Sequence, residues 1–204
     1  MDSQTGADLG SIILAGGQSR RMGRNKALLR LTPDGPTLIE QVIAAVAPFG
    51  PIVLVTNTPD PYAFLNLPMV PDTSLGQGPL AGLYSGLEAA TTRYNFVLAC
   101  DMPRLQPALL RHMAALPHEY DVLVPRWTAP GGEEQLETLH AIYSKACLPA
   151  IAECLQRGRL RMIAFYPAVR VQYLDEPDLR RHDPTLASFR KLNTPDEVAE
   201  LDAP

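Results

Sequence analysis

Several residue groups in this chain have types and spacings suited to chemistry. The first runs Leu14-Ala15-Gly16-Gly17-Gln18-Ser19-Arg20-Arg21-Met22-Gly23-Arg24-Asn25-Lys26. Paired glycines let backbone N–H groups approach an anion closely, and Ser19 can turn the chain into a following helix. Between Arg20 and Arg30 lie five cationic residues and no acidic one, in a chain of net charge -4. Amide donors beside concentrated positive charge suit a nucleoside triphosphate. The alternative is a tight structural turn followed by a solvated basic face. Two other phosphate loops are excluded, because the G-x-G-x-x-G spacing is absent and no Gly-Lys-Ser or Gly-Lys-Thr follows.

Asp101 forms a second group. It directly follows the apolar run Phe96-Val97-Leu98-Ala99 and precedes Met102-Pro103. A carboxylate at the end of a central parallel strand lies where ligands bind in open α/β sheets, and its hard oxygens suit Mg²⁺. The alternative is an aspartate capping a proline-led turn. The third group pairs Asp72 with Leu75-Gly76-Gln77-Gly78-Pro79-Leu80-Ala81-Gly82. Amides exposed by such a turn can read base edges, and a carboxylate can accept from the N1–H and amino group of guanine. Cytosine offers no matching pair of donors.

The elements that must position these groups follow from periodicity. Ser11 to Ala15 reads as a buried first strand running into the glycine pair. Thr37 to Val46 carries apolar residues at helical spacing until Pro48 and Gly50 stop it. Strands are expected at 52–55, 96–99 and 122–124, the last closed by Pro125, and helices at 80–90 and 108–116. Thr128 to Gln135 reads as a polar surface loop or flap. A strand at 139–143, a helix at 145–155 and a strand at 169–174 follow. Residues 175–184 read as a polar connection and Pro195 to Leu201 as a terminal helix. This rhythm predicts one α/β domain over residues 1–204, core about 11–201: a three-layer sandwich on a mostly parallel, Rossmann-like sheet.

Composition narrows the function. With 204 residues and 46% hydrophobic content, the chain is neither disordered nor too small to bury a core. Its mild acidity argues against gripping nucleic acid or an anionic membrane as its main task. Cys100, Cys147 and Cys154 are too few and scattered for a disulfide framework or a CxxC metal site. Met1 to Gly10 holds Asp2 and Asp8 and no early basic run, and no apolar stretch reaches the roughly 20 residues needed to span a bilayer. The expected compartment is the cytoplasm.

The motif Leu-Ala-Gly-Gly-x-Ser-x-Arg-Met-Gly-x-x-Lys, with Cys-Asp-x-Pro at Cys100 to Pro103, resembles the molybdenum cofactor guanylyltransferases and, more broadly, nucleotide-diphospho-sugar transferase folds. The resemblance runs from about Ser11 to Leu201. It implies transfer of GMP from GTP to the terminal phosphate of molybdenum-bearing molybdopterin, with release of pyrophosphate. It implies that Asp101 holds Mg²⁺, that Leu14, Ala15, Gly16, Gly17, Arg21 and Lys26 hold the triphosphate, and that Asp72, Gly78, Pro79, Leu80 and Gly82 read the base. Gly16, Gly17, Pro79 and Leu80 match the guanylyltransferases, whereas related cytidylyltransferases favour Leu-Ala-Ala-Gly. A molybdenum-insertion protein or a chaperone of an acceptor molybdoenzyme is an implied partner.

On the acceptor side, Leu139-His140-Ala141-Ile142-Tyr143 resembles the family's Pro-Leu-His-Ala-hydrophobic-Tyr segment, with Thr138 in the proline position. His140 is equally readable as a core histidine. Arg161, near Gly158 and Arg159, resembles a residue that clamps the molybdopterin phosphate, or ends a helix in water. Asn193, in Leu192-Asn193-Thr194-Pro195, orients a phosphate or caps the last helix. Two departures from the family stand out: Lys191 replaces an asparagine, and Asn25 replaces the usual aspartate before Lys26. Rival readings are a CTP-dependent cytidylyltransferase, a sugar-phosphate nucleotidyltransferase and a non-catalytic GTP sensor. Cys100 is read as packing rather than as a nucleophile.

Overall fold

The computed structural model describes residues 8–15, 25–72, 77–129 and 131–190. In chain order the elements are β1 (Leu9–Leu14), α1 (Leu38–Val46), β2 (Ile52–Val55), β3 (Met69–Val70), α2 (Pro79–Ala89), β4 (Tyr94–Ala99) and α3 (Pro107–Ala115). They continue with β5 (Val122–Thr128), β6 (Glu134–Leu136), β7 (His140–Ser144), α4 (Leu148–Gln156), β8 (Val171–Asp175) and α5 (Glu176–His182). Among the described residues all eight strands join one sheet, ordered β3-β2-β1-β4-β7-β5, with β6 and β8 also paired to β5.

The strands β3, β2, β1 and β4 are mutually parallel. β7 runs antiparallel to both β4 and β5, and β8 is parallel to β5. Two reversals cancel, so β5 and β8 point the same way as β1. Six strands therefore deliver their C-terminal ends to one sheet edge, and β7 begins there.

Side-chain alternation divides the core into two layers, because successive residues of a strand face opposite sides. Ile13, Leu54, Phe96, Leu98 and Ile142 pack with α1, α3 and α5 on one face. Ile12, Val55, Val97, Ala141 and Tyr143 pack with α2 and α4 on the other. The expected three-layer sandwich is the observed one. α1 starts with a reciprocal capping box, in which the Glu40 amide donates to Thr37 Oγ1 and the Thr37 amide donates to Glu40 Oε2 at 2.7 Å. The Thr37 hydroxyl, donating to Glu40 Oε2 at 2.6 Å, and then the Thr37 amide hold the Glu40 carboxyl below its ordinary value.

Several local expectations are corrected. β5 does not close at Pro125 but continues to Thr128. Proline is tolerated because β5 changes partner there, from β7 at residues 122–123 to β6 at 126–128, so the missing N–H breaks no ladder bond. The expected flap is not a free one: Thr128 belongs to β5 and Glu134 and Gln135 to β6, and the Ala129 amide donates to the Glu133 carbonyl at 2.8 Å between them. Residues 176–182 form α5, not an irregular connection. Only Leu179 of α5 is buried, so there was no apolar stripe to see; Glu176 and Asp178 in its first turn and Arg180, Arg181 and His182 in its last suit the helix dipole. The helix read at 145–155 opens with a tighter 3-10 turn at Lys145–Cys147 before α4. The terminal helix expected at 195–201 lies outside the described residues. Among the described residues no helix is long and apolar enough to cross a membrane.

α2 lies unusually close to the sheet. A Cβ placed on Gly86 would collide with Ile12 Cγ2 and sit 3.1 Å from Val55 Cγ2. We expect Gly86→Ala to destabilise the chain by about 1–3 kcal/mol through overpacking, outweighing alanine's helix preference of about 1 kcal/mol. A lower urea midpoint checks this; an unchanged or higher one contradicts the close approach.

Candidate functional site

The sheet edge that collects the strand ends also collects the residues singled out by type. β1 hands over at Ala15, whose neighbours across the sheet follow from the register Leu14↔Val55 and Leu14↔Ala99. β4 ends one residue before Cys100, so Asp101 emerges beside the end of β1, one strand spacing (about 5 Å) away. β3 pairs Val70 with Val55 and leads to Asp72, whose amide donates to Asn57 Oδ1 at 2.9 Å. Asn57 follows β2, so this bond ties two strand ends together. Its role was missed because nothing local in the sequence links positions 57 and 72.

α2 runs antiparallel to β1: a Cβ on Gly82 would lie 3.4 Å from Leu14, and Gly86, one turn on, lies over Ile12. Its N-terminus therefore rises at the same edge. Gly78 caps it with φ 73° and ψ -168°, a conformation restricted to glycine. The first-turn amides of a helix have no intrahelical partner, and the dipole there favours negative charge. Within the expected base-reading stretch, Gly78 and Pro79 are exposed, while Leu80 and Gly82 are buried between α2 and the sheet. The stretch from Pro79 is thus helix rather than turn, and two of its residues are occupied with packing.

Lys26 opens a 3-10 turn at Lys26–Leu28, capped by Asn25, whose Oδ1 accepts from the Ala27 amide at 3.2 Å. Asn25 also meets Tyr62 Oη, a hydroxyl on a core ring that reaches the Ala15 carbonyl. Burial and the Asp101 carboxylate push the Cys100 thiol up to about 12, and the Lys26 ammonium opposes them. Asp101 and Lys26 thus act in opposite directions on one sulfur.

The acceptor-side expectations separate in space. His140 is fully buried at the start of β7, opposite Leu98, its ring edge-on to Phe189 with centroids 5.3 Å apart. Asp183 holds that turn: it accepts from the Ala187 amide at 2.9 Å and the Ser188 amide at 2.8 Å. Arg161 is exposed after α4, next to Met162 in the core layer on the opposite face of the sheet from Phe189. The structure does not bring His140 and Arg161 together. Gly16, Gly17, Arg21 and Asn193 lie outside the described residues. An open groove of about 580 Å³ runs along Arg126, Trp127, Thr128, Asp175, Glu176 and Arg180 at the ends of β5 and β8. Its charges are internally paired, Arg126 with Asp175 at 2.7 Å and Arg180 with Glu176 at 2.7 Å.

An α/β sandwich that gathers two carboxylates and a helix N-terminus on the C-terminal edge of its strands is built to handle a nucleotide. A family model described as the MobA-like NTP transferase domain matches residues 11–171, and the chain belongs to that family. A probable molybdenum cofactor guanylyltransferase from Pelotomaculum thermopropionicum is 37% identical over 190 residues, covering 93% of this chain and 89% of that protein. The molybdenum cofactor guanylyltransferase of Desulfosudis oleivorans is 37% identical over 205 residues, covering 100% and 96%. Among solved structures, molybdopterin-guanine dinucleotide biosynthesis protein A from Archaeoglobus fulgidus superposes with a TM-score of 0.78 at 26% identity, covering 95% of this chain and 96% of that one.

The thiolate is the reactive form of cysteine, so a thiol raised to about 12 is almost wholly protonated near neutrality. We expect Cys100 in the folded chain to resist iodoacetamide at pH 8, its rate rising about tenfold per pH unit while the fold survives. Rapid alkylation of Cys100 at pH 8, read by peptide mass spectrometry, contradicts its protected setting.

Proposed function

We propose that this enzyme transfers GMP from GTP to the terminal phosphate of molybdopterin, releasing pyrophosphate. The observation that carries the reading is the shared edge on which β3, β1 and β4 present Asp72, Ala15 and Asp101 in that spatial order. Three strand spacings, about 14 Å, separate the outer two carboxylates, a span suited to an extended nucleoside triphosphate. The guanine end lies at Asp72 and Gly78, and the triphosphate runs across the end of β1 towards Asp101. The relatives named as guanylyltransferases support the choice of base and acceptor.

A phosphate oxygen of the acceptor attacks the α-phosphorus of GTP. The new P–O bond forms as the bond to the β-phosphate oxygen breaks, and that electron pair leaves with pyrophosphate. The nucleophile is already anionic, so no side chain need take a proton. Lys26, with Gly16, Gly17 and Arg21 from the sequence motif, supplies positive charge and amide donors to the triphosphate. Among the described residues no cluster of three or more acids, histidines or cysteines forms a metal cage. The single carboxylate of Asp101 fits Mg²⁺, which is usually bound by one or two carboxylates together with substrate phosphates. The chemistry magnesium supplies when bound is neutralisation of triphosphate charge. Asp101 fixes where that charge is met.

From the sequence motifs, Arg161 and Asn193 are the residues proposed to bind the pterin phosphate, whereas His140 is enclosed and packs on Phe189 away from Arg161. A delivering or receiving molybdenum-cofactor protein completes the pathway of this unstable substrate. Such work belongs in the cytoplasm.

Asp101→Ala should lower turnover by at least 10²-fold at fixed magnesium, in the range seen when an electrostatic stabiliser is removed. Turnover within a few-fold of the unaltered enzyme refutes its role. Pyrophosphate release with molybdopterin should also be far faster with GTP than with CTP, ATP or UTP. A preference for CTP overturns the guanine assignment, and GTP binding without pyrophosphate release makes the chain a sensor.

A further inference from the structure

Tyr62 stands outside every motif discussed above, yet its hydroxyl touches both residues that bracket segment 16–24. The ring is buried at 1% exposure in the core layer shared with α1. It is placed there by a 3-10 turn at Asp60–Leu65, entered through Pro59 and left through Asn66 in the left-handed region. Burial pushes the phenol up from its ordinary value, so Oη remains a protonated donor.

The contacts form a directional chain. Asn25 Oδ1 accepts from the Ala27 amide at 3.2 Å, fixing the turn that starts at Lys26. Asn25 Nδ2 donates to Tyr62 Oη at 2.9 Å. Tyr62 Oη in turn donates to the Ala15 carbonyl at 3.4 Å, the longest link. Asn25 Oδ1 also lies 3.1 Å from the hydroxyl, and because one phenolic proton serves one acceptor at a time, Oδ1 and the Ala15 carbonyl share it. Ala15 is itself held to β2, its amide donating to the Val55 carbonyl at 2.9 Å.

Asparagine makes this chain possible because its amide both donates and accepts. An aspartate at 25 is acceptor only when ionised; it would claim the tyrosine proton and release the Ala15 carbonyl. The departure at position 25 thus has a chemical consequence inside this fold.

We infer that Tyr62 is a positioning residue for nucleotide binding, its hydroxyl joining Ala15 at the end of β1 to Asn25 and the turn that carries Lys26. Holding the end of β1 and the Lys26 turn in place before binding lowers the cost that a ligand must meet there. The inference rests on the nucleotide reading above and adds a residue to it. Tyr62 touches no substrate. It acts on the triphosphate through the backbone at 15 and the turn that carries Lys26.

The test uses Tyr62→Phe, which keeps the ring and deletes only the hydroxyl, and Asn25→Ala at an exposed position where folding is not at risk. Calorimetric titration of the full chain with GTP and Mg²⁺ should show each variant binding about fivefold more weakly, the loss of roughly one net hydrogen bond. The double variant should be no weaker than the poorer single one, because both cut the same chain. In turnover, KM for GTP should rise while kcat and KM for molybdopterin stay within twofold. Hydrogen exchange at the Ala27 amide should quicken in nucleotide-free Tyr62→Phe. Unchanged GTP affinity in Tyr62→Phe, additive losses in the double variant, or equal rises in both KM values overturn the positioning role. Failure of the unaltered chain to bind any nucleoside triphosphate removes the nucleotide reading and this inference together, whereas normal binding with an indifferent Tyr62→Phe removes the inference alone.

Discussion

Everything specific in this molecule depends on the common direction of six strands. A parallel ladder places successive C-terminal ends side by side at about 5 Å intervals, and the loops leaving them have one edge on which to converge. Here β7 runs backwards between β4 and β5 without disturbing that alignment, because pairing antiparallel on both sides restores the direction beyond it. The helices then fix the edge in depth. α2 can bring its N-terminus to the ends of β1 and β3 only because Gly86 lets it settle on Ile12 and Val55.

That constraint explains which parts of the fold were legible in the amino-acid order. The central strands carry apolar residues on both faces, as at Ile12-Ile13 and Val97-Leu98, and such runs announce themselves. α1 showed its stripe and its stop. α5 did not, since one buried leucine among charges has no periodicity, although its acidic start and basic end were there to be read. The extent of β5 was obscured by Pro125, whose tolerance depends on a change of partner that no local pattern records. The reversed direction of β7 is likewise a property of pairing, not of its own residues.

The site divides in the same way. Asp72, Asp101 and Lys26 could be singled out because their chemistry is carried by residue type within a short motif. Leu80 and Gly82 belong to the same motif but are spent on seating α2 against β1. His140 turned out to be wholly enclosed and packed on Phe189, in keeping with the core alternative raised for it. Asn57 and Tyr62 gave no sequence signal at all, since their importance arises from partners 15 and 37–47 positions away. Conspicuous residues mark the chemistry, and inconspicuous ones hold it in place.

In the proposed reaction both partners are polyanionic, and the enzyme's task is alignment and neutralisation rather than proton transfer. The edge meets that need unevenly: the turn bearing Lys26 is tied to the end of β1, carboxylates stand at either extreme, and the groove beyond β5 keeps its charges paired among themselves. The most direct measurement is a crystal structure of the enzyme with GTP and Mg²⁺. The account predicts guanine beside Asp72 and the first turn of α2, with the α-phosphate at the end of β1 and the metal on Asp101. A nucleotide seated in the Arg126–Arg180 groove, or on the opposite edge of the sheet, would contradict it.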